Sequence, residues 1–146
     1  EGEVVLWIAL YDPIPEPPAA YTEWLFVLDV DGNPTTGRPP GSRPINPDLG
    51  DEVALALFYD PTATAYGTYL LIWNPTLQDW EQRQGVRYWI SEDRRLVGLA
   101  ISLATLQQEV AQTSGVTLTS EAALGRAGAI AYVAPEAVVD FYPDRP

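Results

Sequence analysis

The sequence predicts an all-β domain, namely a two-sheet antiparallel β-sandwich of jelly-roll-like form with one short helix. Short segments rich in Val, Ile, Leu, Tyr and Trp recur along the chain, and turn residues separate them. The 146 residues suffice for one domain, residues 1–146, with a substantial core, since about two-thirds of the unfolded surface is buried at this size. An up-and-down barrel would use the same strands, but two packed sheets are the commoner solution.

Eight segments have the apolar density and spacing of strands. They are residues 3–11, 22–30, 52–59, 66–73, 84–90, 95–101, 127–133 and 137–142. In 24–28 and in 53–59 both alternating faces are apolar, which indicates central strands covered on both sides or a face that meets a partner. Nine of the fourteen prolines fall within 13–18 and 34–47, so we expect two rigid surface loops there.

One helix interrupts the strand pattern near residue 102. Ser102 has the side chain of an N-cap, because its hydroxyl oxygen can accept from an unpaired backbone N–H of the first turn. Leu103, Leu106 and Val110 share one face, and Gly115 stands where a helix would end. We expect this helix to close one end of the sandwich.

The composition excludes several classes of site. All eight basic residues are arginine, and the chain contains no lysine, histidine, cysteine or methionine. Nucleophilic sites with an imidazole base, lysine-dependent phosphate loops and structural zinc sites therefore cannot be built from this chain alone. The net charge of -12 repels nucleic acid, and the apolar stretches are shorter than the ~18 residues of a membrane span.

The missing methionine bears on where the protein is located, and the scarcity of thermolabile residues bears on its thermostability. A chain without methionine lacks its own initiator, so we expect a secreted, extracellular or cell-surface protein whose signal peptide was removed, or a fragment. Cysteine is absent and only three asparagines occur. This composition is typical of thermostable proteins, although codon bias in a GC-rich genome predicts it equally.

The loop after the second strand has the pattern of a calcium site. Asp29, Asp31 and Asn33 alternate, so a curled backbone points three side-chain oxygens to a common centre. Calcium takes six to eight oxygen ligands in flexible geometry. Asp51, or less readily Glu52, would close the site from the start of the next strand. The sequence thus predicts Ca²⁺ bound by Asp29, Asp31, Asn33 and Asp51.

This loop differs from an EF-hand and has a simpler alternative explanation. Backbone carbonyls near Thr35 would complete the ligand shell, but Pro34 and Pro40 stand where an EF-hand needs glycine and glutamate. Alternatively, Asp31-Gly32 is only a hairpin turn and Asp29 a solvated strand end. The alternating oxygens favour calcium.

The order strand, D-x-D-x-N-x-x-T-G in 29–37, long loop, Gly50-Asp51, strand resembles the family 9 carbohydrate-binding modules and the related DOMON-like secreted sandwiches. Residues 88–103 and 140–144 are also similar to that group. The resemblance implies the sandwich fold and calcium, and it does not imply sugar binding. Such domains usually have a further strand before the one at 4–11, and its absence here would expose an unpaired sheet edge.

The sequence offers aromatic residues and carboxylates as candidate functional groups. Trp73 and Trp80 flank a hairpin turn and are candidate contacts for a glycan or a partner, although such pairs more often stabilise the hairpin by cross-strand packing. A glycosidase needs two carboxylates on opposite sides of a bond, and no such pair stands out. We expect no enzymatic activity.

Two functions from different classes remain. In the first, the domain is a structural or adhesive subunit that self-associates in an extracellular surface assembly or filament, with strands shared between subunits. The apolar segment Val4–Ile8 and the expected open edge favour it. In the second, the domain is a carbohydrate-binding module of a secreted enzyme and binds polysaccharide. We favour assembly, because nothing in the sequence marks a ligand groove.

Overall fold

The structure, a computed structural model, describes residues 2–43, 48–118 and 126–134, together with the backbone of 138–142. This part of the chain contains nine strands, one α-helix and a short 3₁₀ turn. Their bounds are β1 Glu3–Ala9, β2 Thr22–Asp29, the 3₁₀ turn Pro40–Ser42, β3 Val53–Asp60, β4 Ala65–Asn74, β5 Asp79–Arg83, β6 Arg87–Ile90, β7 Leu96–Ser102, α1 Leu103–Thr113, β8 Arg126–Val133 and β9 Val138–Tyr142.

The strands form two antiparallel sheets, which confirms the predicted two-sheet sandwich with one short helix. The wide sheet has the order β5-β4-β3-β2-β8-β9, and the narrow sheet has the order β1-β7-β6. Every pair of neighbouring strands is antiparallel. Within the described residues β1 lies at an edge of the narrow sheet.

Alternation along each strand sends one set of side chains into the core between the sheets. In β2, Trp24, Phe26 and Leu28 point inward and join the main core, whereas Leu25 and Val27 point outward. The main core also takes Val4 from β1, Leu55 and Leu57 from β3, Leu70 and Ile72 from β4, Val97, Leu99 and Ile101 from β7, and Leu106 and Val110 from α1.

A second, smaller core lies on the outer side of the wide sheet. Val27, Ala54 and Ile130 are buried there beneath Leu49, which belongs to the long loop between β2 and β3. This loop explains why both alternating faces of β2 and β3 are apolar. The inner face packs against the narrow sheet, and part of the outer face packs against the loop.

The helix α1 begins and ends where the sequence predicts. The Ser102 hydroxyl oxygen accepts from the Thr105 N–H at 3.4 Å, and Gly115 follows the helix with a φ of +72°. The buried face of α1 carries Leu106 and Val110. With eleven residues, it is too short to span a membrane, and no described helix meets that requirement.

Candidate metal centre

The ends of β2 and β3 bring two carboxylates side by side. Asp29 is the last residue of β2, and Glu52 directly precedes β3. The Glu52 N–H donates to the Leu28 carbonyl at 3.1 Å, and the Glu52 carbonyl accepts from the Trp73 N–H at 2.8 Å. The backbone of Glu52 is therefore fixed between β2 and β4, so its side chain has a defined position.

Two glycines allow the loop to fold back on itself. A Cβ atom on Gly50 would lie 2.4 Å from the Asn33 carbonyl oxygen, and one on Gly37 would lie 2.7 Å from the Asp51 carbonyl oxygen. Gly37 also has a φ of +69°, a conformation that other residues rarely adopt. This close crossing brings the first turn of the loop, with Asp31, back to the strand ends.

Three carboxylates meet at this point. Asp29, Asp31 and Glu52 each offer an oxygen, and these oxygens all lie within 4.8 Å of one another. Asp29 and Glu52 are fully buried, whereas Asp31 is exposed. The cluster therefore opens to solvent on the Asp31 side and is closed on the side of the wide sheet.

Most oxygens of the two buried carboxylates have no hydrogen-bond partner. Glu52 Oε2 accepts from the Val30 N–H at 3.0 Å, but Glu52 Oε1 and both oxygens of Asp29 accept no hydrogen bond. Arg126 Nη1 is 3.9 Å from Asp29 Oδ2, which is too long for a hydrogen bond. Burial of a charged group without partners costs several kcal/mol, so these carboxylates need either a proton or a cation.

The pKa values of the two buried carboxylates are raised, as expected for groups that are buried with few hydrogen-bond partners. Burial raises the pKa of Glu52 to about 7, and the charges of Asp31 and Asp29 act in the same direction. Burial also raises the pKa of Asp29, although the N–H groups of Gly32 and Gly50, which lie near this carboxylate but outside hydrogen-bond geometry, partly offset the rise. A cation in this cluster would compete with protons for the same oxygens.

Asp51, which the sequence placed ahead of Glu52 as a ligand, points elsewhere. Its Oδ2 pairs with Arg38 Nη2, and its Oδ1 is buried without a partner. Burial raises the pKa of Asp51, while Arg38 opposes the rise. Neighbouring residues entering a strand point to opposite sides, so only one of Asp51 and Glu52 can face Asp29. The structure gives that position to Glu52.

Asn33 shapes the loop by hydrogen bonds to its neighbours. Its side-chain Oδ1 accepts from the Thr35 N–H at 3.0 Å and from the Thr35 hydroxyl at 2.7 Å. Its own N–H donates to Asp31 Oδ1 at 2.8 Å, which holds that carboxylate in the turn. Asn33 thus positions Asp31, and its amide oxygen is engaged within the turn.

Backbone carbonyls around Thr35 are also engaged within the loop. Arg43 Nη2 donates to the carbonyls of Pro34 at 2.9 Å and of Thr36 at 3.0 Å. The Arg43 side chain is nearly buried, so this guanidinium acts as a clamp on the first half of the loop. The carbonyls expected to complete a calcium shell are therefore hydrogen-bonded to Arg43.

Trp73 and Trp80 pack against each other across β4 and β5. They are register partners, and their rings meet edge to face with centroids 5.4 Å apart. Trp73 is only 6% exposed, so its ring faces are closed to a ligand. Arg38 lies 5.2 Å above the ring of Trp80. The pair supports the hairpin and, through Arg38 and Asp51, the base of the loop.

Two exposed tryptophans lie on another surface, the outer side of the narrow sheet, which the sequence did not single out. Trp7 of β1 and Trp89 of β6 both point outward from the narrow sheet, on either side of Gly98. The alternation of β1 could have identified this surface. Val4, Leu6 and Ile8 form the inward face of the strand, so Trp7, which lies between Leu6 and Ile8, must point outward.

Comparison of the chain with protein-family models, curated proteins and solved structures finds no match. The resemblance to family 9 carbohydrate-binding modules therefore stays a prediction.

Proposed function

We propose that this domain is a calcium-stabilised, non-catalytic structural or adhesive subunit of an extracellular surface assembly or filament. The observation that supports the calcium part is the meeting of Asp29, Asp31 and Glu52 at the base of the long loop, with three buried oxygens that lack partners. The exposed aromatic face of the narrow sheet supports the assembly part.

The chemistry of the donor set favours calcium. All the available ligand atoms are carboxylate oxygens, which suit hard cations such as Ca²⁺ and Mg²⁺. Calcium accepts carboxylates in one- or two-oxygen modes and irregular geometry, whereas Mg²⁺ demands a nearly ideal octahedron and keeps several waters. Water entering beside the exposed Asp31 would complete the shell. A dication also offsets the repulsion among three close negative charges.

Bound calcium would tie together the two ends of the long loop. Asp29 fixes the end of β2, Glu52 fixes the start of β3, and Asp31 fixes the first turn of the loop. A ligand that binds only the native state stabilises it, by about 2.7 kcal/mol when its concentration is a hundred times the Kd. The role of the cation is thus to stabilise the fold.

The same geometry argues against catalysis at this cluster. Glycosidase carboxylates stand about 5–9.5 Å apart on either side of the bond that they cleave. Here the oxygens lie within 4.8 Å of one another, and Asp29 and Glu52 are fully buried, so a substrate cannot enter between them. The chain also has no histidine to act as a base at neutral pH.

Thermal unfolding with calcium and with a chelator tests the metal. With saturating calcium we expect the midpoint to rise by on the order of 5–10 °C for a domain of this size. Asp29→Asn should abolish most of this rise. Asp12→Asn, an exposed position with the same change, should keep it. Equal midpoints with calcium and with chelator would refute the metal site.

Electron microscopy and sedimentation of the purified domain in calcium test the assembly. Ordered fibres or sheets are the expected result, and a domain that stays monomeric at high concentration would overturn this part. The net charge of the chain, -12, predicts that assembly improves as salt screens the repulsion between copies.

Carbohydrate binding is the second candidate, and one observation favours it. The indole of Trp89 covers Gly98, and the neighbouring Trp7 is 59% exposed, so two aromatic side chains are available on one sheet face. A glycan array probed with the wild type and with Trp89→Ala distinguishes the candidates. Retention of a glycan that Trp89→Ala loses would favour this function over assembly.

A further inference from the structure

The outer face of the narrow sheet carries an exposed aromatic patch, here called the narrow face. Trp7, Val5 and Trp89 point outward there, and Trp7 and Val5 are 59% and 50% exposed. Trp89 lies so close over Gly98 that a Cβ atom there would be 1.9 Å from its ring. Only glycine at this position lets the indole lie down on the sheet, and this flattens the patch.

The narrow face also carries one exposed cation. Arg87 of β6 points outward like Trp89, and its side chain is 67% exposed. It forms an ion pair with Glu3 of β1, whose side chain is about half exposed. The face is therefore neutral overall and presents a guanidinium at its border, within a chain of net charge -12.

The outer face of the wide sheet carries a second aromatic patch, here called the wide face. Four rings surround the carboxylate of Glu23, and they belong to Tyr21, Phe58, Tyr69 and Tyr132. Phe58 is 6.0 Å from both Tyr21 and Tyr69, counted between ring centroids. The hydroxyls of Tyr21 and Tyr69 donate to the two oxygens of Glu23 and hold it in place.

The wide face is the part of the outer surface that the described residues of the long loop, up to Arg43 and from Asp48 onward, leave uncovered. The loop places Leu49 over the second core and Arg38 over Trp80, toward the other end of the same sheet. Glu23 and the four rings stay partly exposed. Among the described residues, no arginine pairs with Glu23, and the hydrogen bonds that its carboxylate accepts come from the neutral hydroxyl groups of Tyr21 and Tyr69.

We infer that copies of this domain stack head to tail, with the narrow face of one copy on the wide face of the next. This inference rests on the proposed assembly function and names its partner and its interface. Arg87 would meet the Glu23 carboxylate and its tyrosine rings, since guanidinium groups bind both carboxylates and aromatic faces. Trp7 and Trp89 would pack on the remaining rings at the usual spacing of stacked sheets.

Charge disfavours one of the two symmetric arrangements, in which two copies pair through identical faces. Two wide faces would bring Glu23 of each copy together, and like charges across an interface are costly. Two narrow faces would be neutral, but such a dimer would leave every Glu23 without a cation. Because the narrow and wide faces are on opposite sides of the sandwich, their pairing leaves one of each free at every step. Repeated pairing therefore grows an open filament.

Complementary charge reversals test the inference in the full chain with calcium. Arg87→Glu alone places Glu against Glu23, and Glu23→Arg alone places Arg against Arg87, so each variant should raise the critical concentration for assembly at least about tenfold. An equimolar mixture of the two variants should assemble again, because alternating copies restore both contacts. Glu92→Arg, the same change at an exposed turn, should assemble no worse than the wild type.

The outcomes separate this inference from the function on which it rests. Wild-type fibres that both single variants also form at wild-type concentrations would refute the stacking and leave assembly intact. A wild type that never assembles would remove both. If Glu23→Arg unfolds in thermal scans, Glu23→Gln replaces it. Glu23→Gln keeps an acceptor for the tyrosine hydroxyls. It should raise the logarithm of the critical concentration by about half as much as Glu23→Arg would. An unchanged critical concentration for Glu23→Gln would refute the stacking.

Discussion

Replacing Glu52 by glutamine separates the cost of a buried charge from the benefit of a bound cation. Glutamine has nearly the shape of glutamic acid and keeps an oxygen that can accept from the Val30 N–H, but it cannot ionise. In a chelator at high pH we expect Glu52→Gln to be more stable than the wild type. In calcium we expect the opposite order, because the variant has lost a charged ligand.

The size of the pH-dependent change in the free energy of unfolding follows from the pKa of Glu52, which burial raises from 4.5 to about 7. Between these values the native state binds more protons than the unfolded state, so the free energy of unfolding falls as the pH rises through this window. One pKa unit corresponds to about 1.4 kcal/mol, so the full window amounts to roughly 3 kcal/mol. The stabilising proton is fully present below pH 4.5 and is lost above pH 7.

Urea unfolding measures the free energy of unfolding of each variant under four conditions, namely at about pH 5 and about pH 8, each in chelator and in calcium. In chelator the wild type should lose about 2.5 kcal/mol between these pH values, because pH 5 already lies inside the window, and Glu52→Gln should lose much less. Glu92→Gln, the same change at an exposed turn, should behave like the wild type. Identical pH dependence of wild type and Glu52→Gln in chelator would refute the reasoning.

Two further predictions concern the base of the loop. Gly50→Ala should destabilise the domain by roughly 1–3 kcal/mol and weaken calcium binding, because its Cβ would lie 2.4 Å from the Asn33 carbonyl oxygen. Gly41→Ala, which meets nothing within 4 Å, is the matched control in chemical unfolding and calcium titration. Arg38→Ala should cost about 3–5 kcal/mol in urea unfolding, because it leaves the buried Asp51 carboxylate unpaired. Asp51→Asn combined with Arg38→Ala should recover part of this loss, and no recovery would contradict the ion-pair explanation.

The sequence predicts strand positions where apolar residues alternate or follow one another. It does not predict β5, which lacks both patterns. Asp79–Arg83 contains a single apolar residue, Trp80, so no periodic pattern marks it. Its position comes from pairing with β4 opposite Trp73, a contact that the turn between them sets. An edge strand of this kind needs little apolar surface, since its hydrogen bonds to the neighbouring strand β4 hold it in place.

The candidate site was predictable where its residues are close in the chain. Asp29 and Asp31 converge because a strand end and a tight turn place them together, which their spacing indicates. The choice between Asp51 and Glu52 depends on which side of the entering strand each faces. That in turn depends on Arg38 and on the backbone crossing at Gly50, which are contacts across the loop. No local pattern carries that information.

The long loop acts as a third layer of the sandwich, and the carboxylate cluster stands at the point where this layer leaves and rejoins the wide sheet. Without a cation, repulsion among Asp29, Asp31 and Glu52 opposes the closure that buries the second core. The described part of the loop leaves the outer surface around Glu23 open. If copies bind that surface only when the loop is closed, calcium binding and assembly stabilise the same conformation. Linkage then requires reciprocity, so assembly must tighten calcium binding by the same factor by which calcium strengthens assembly.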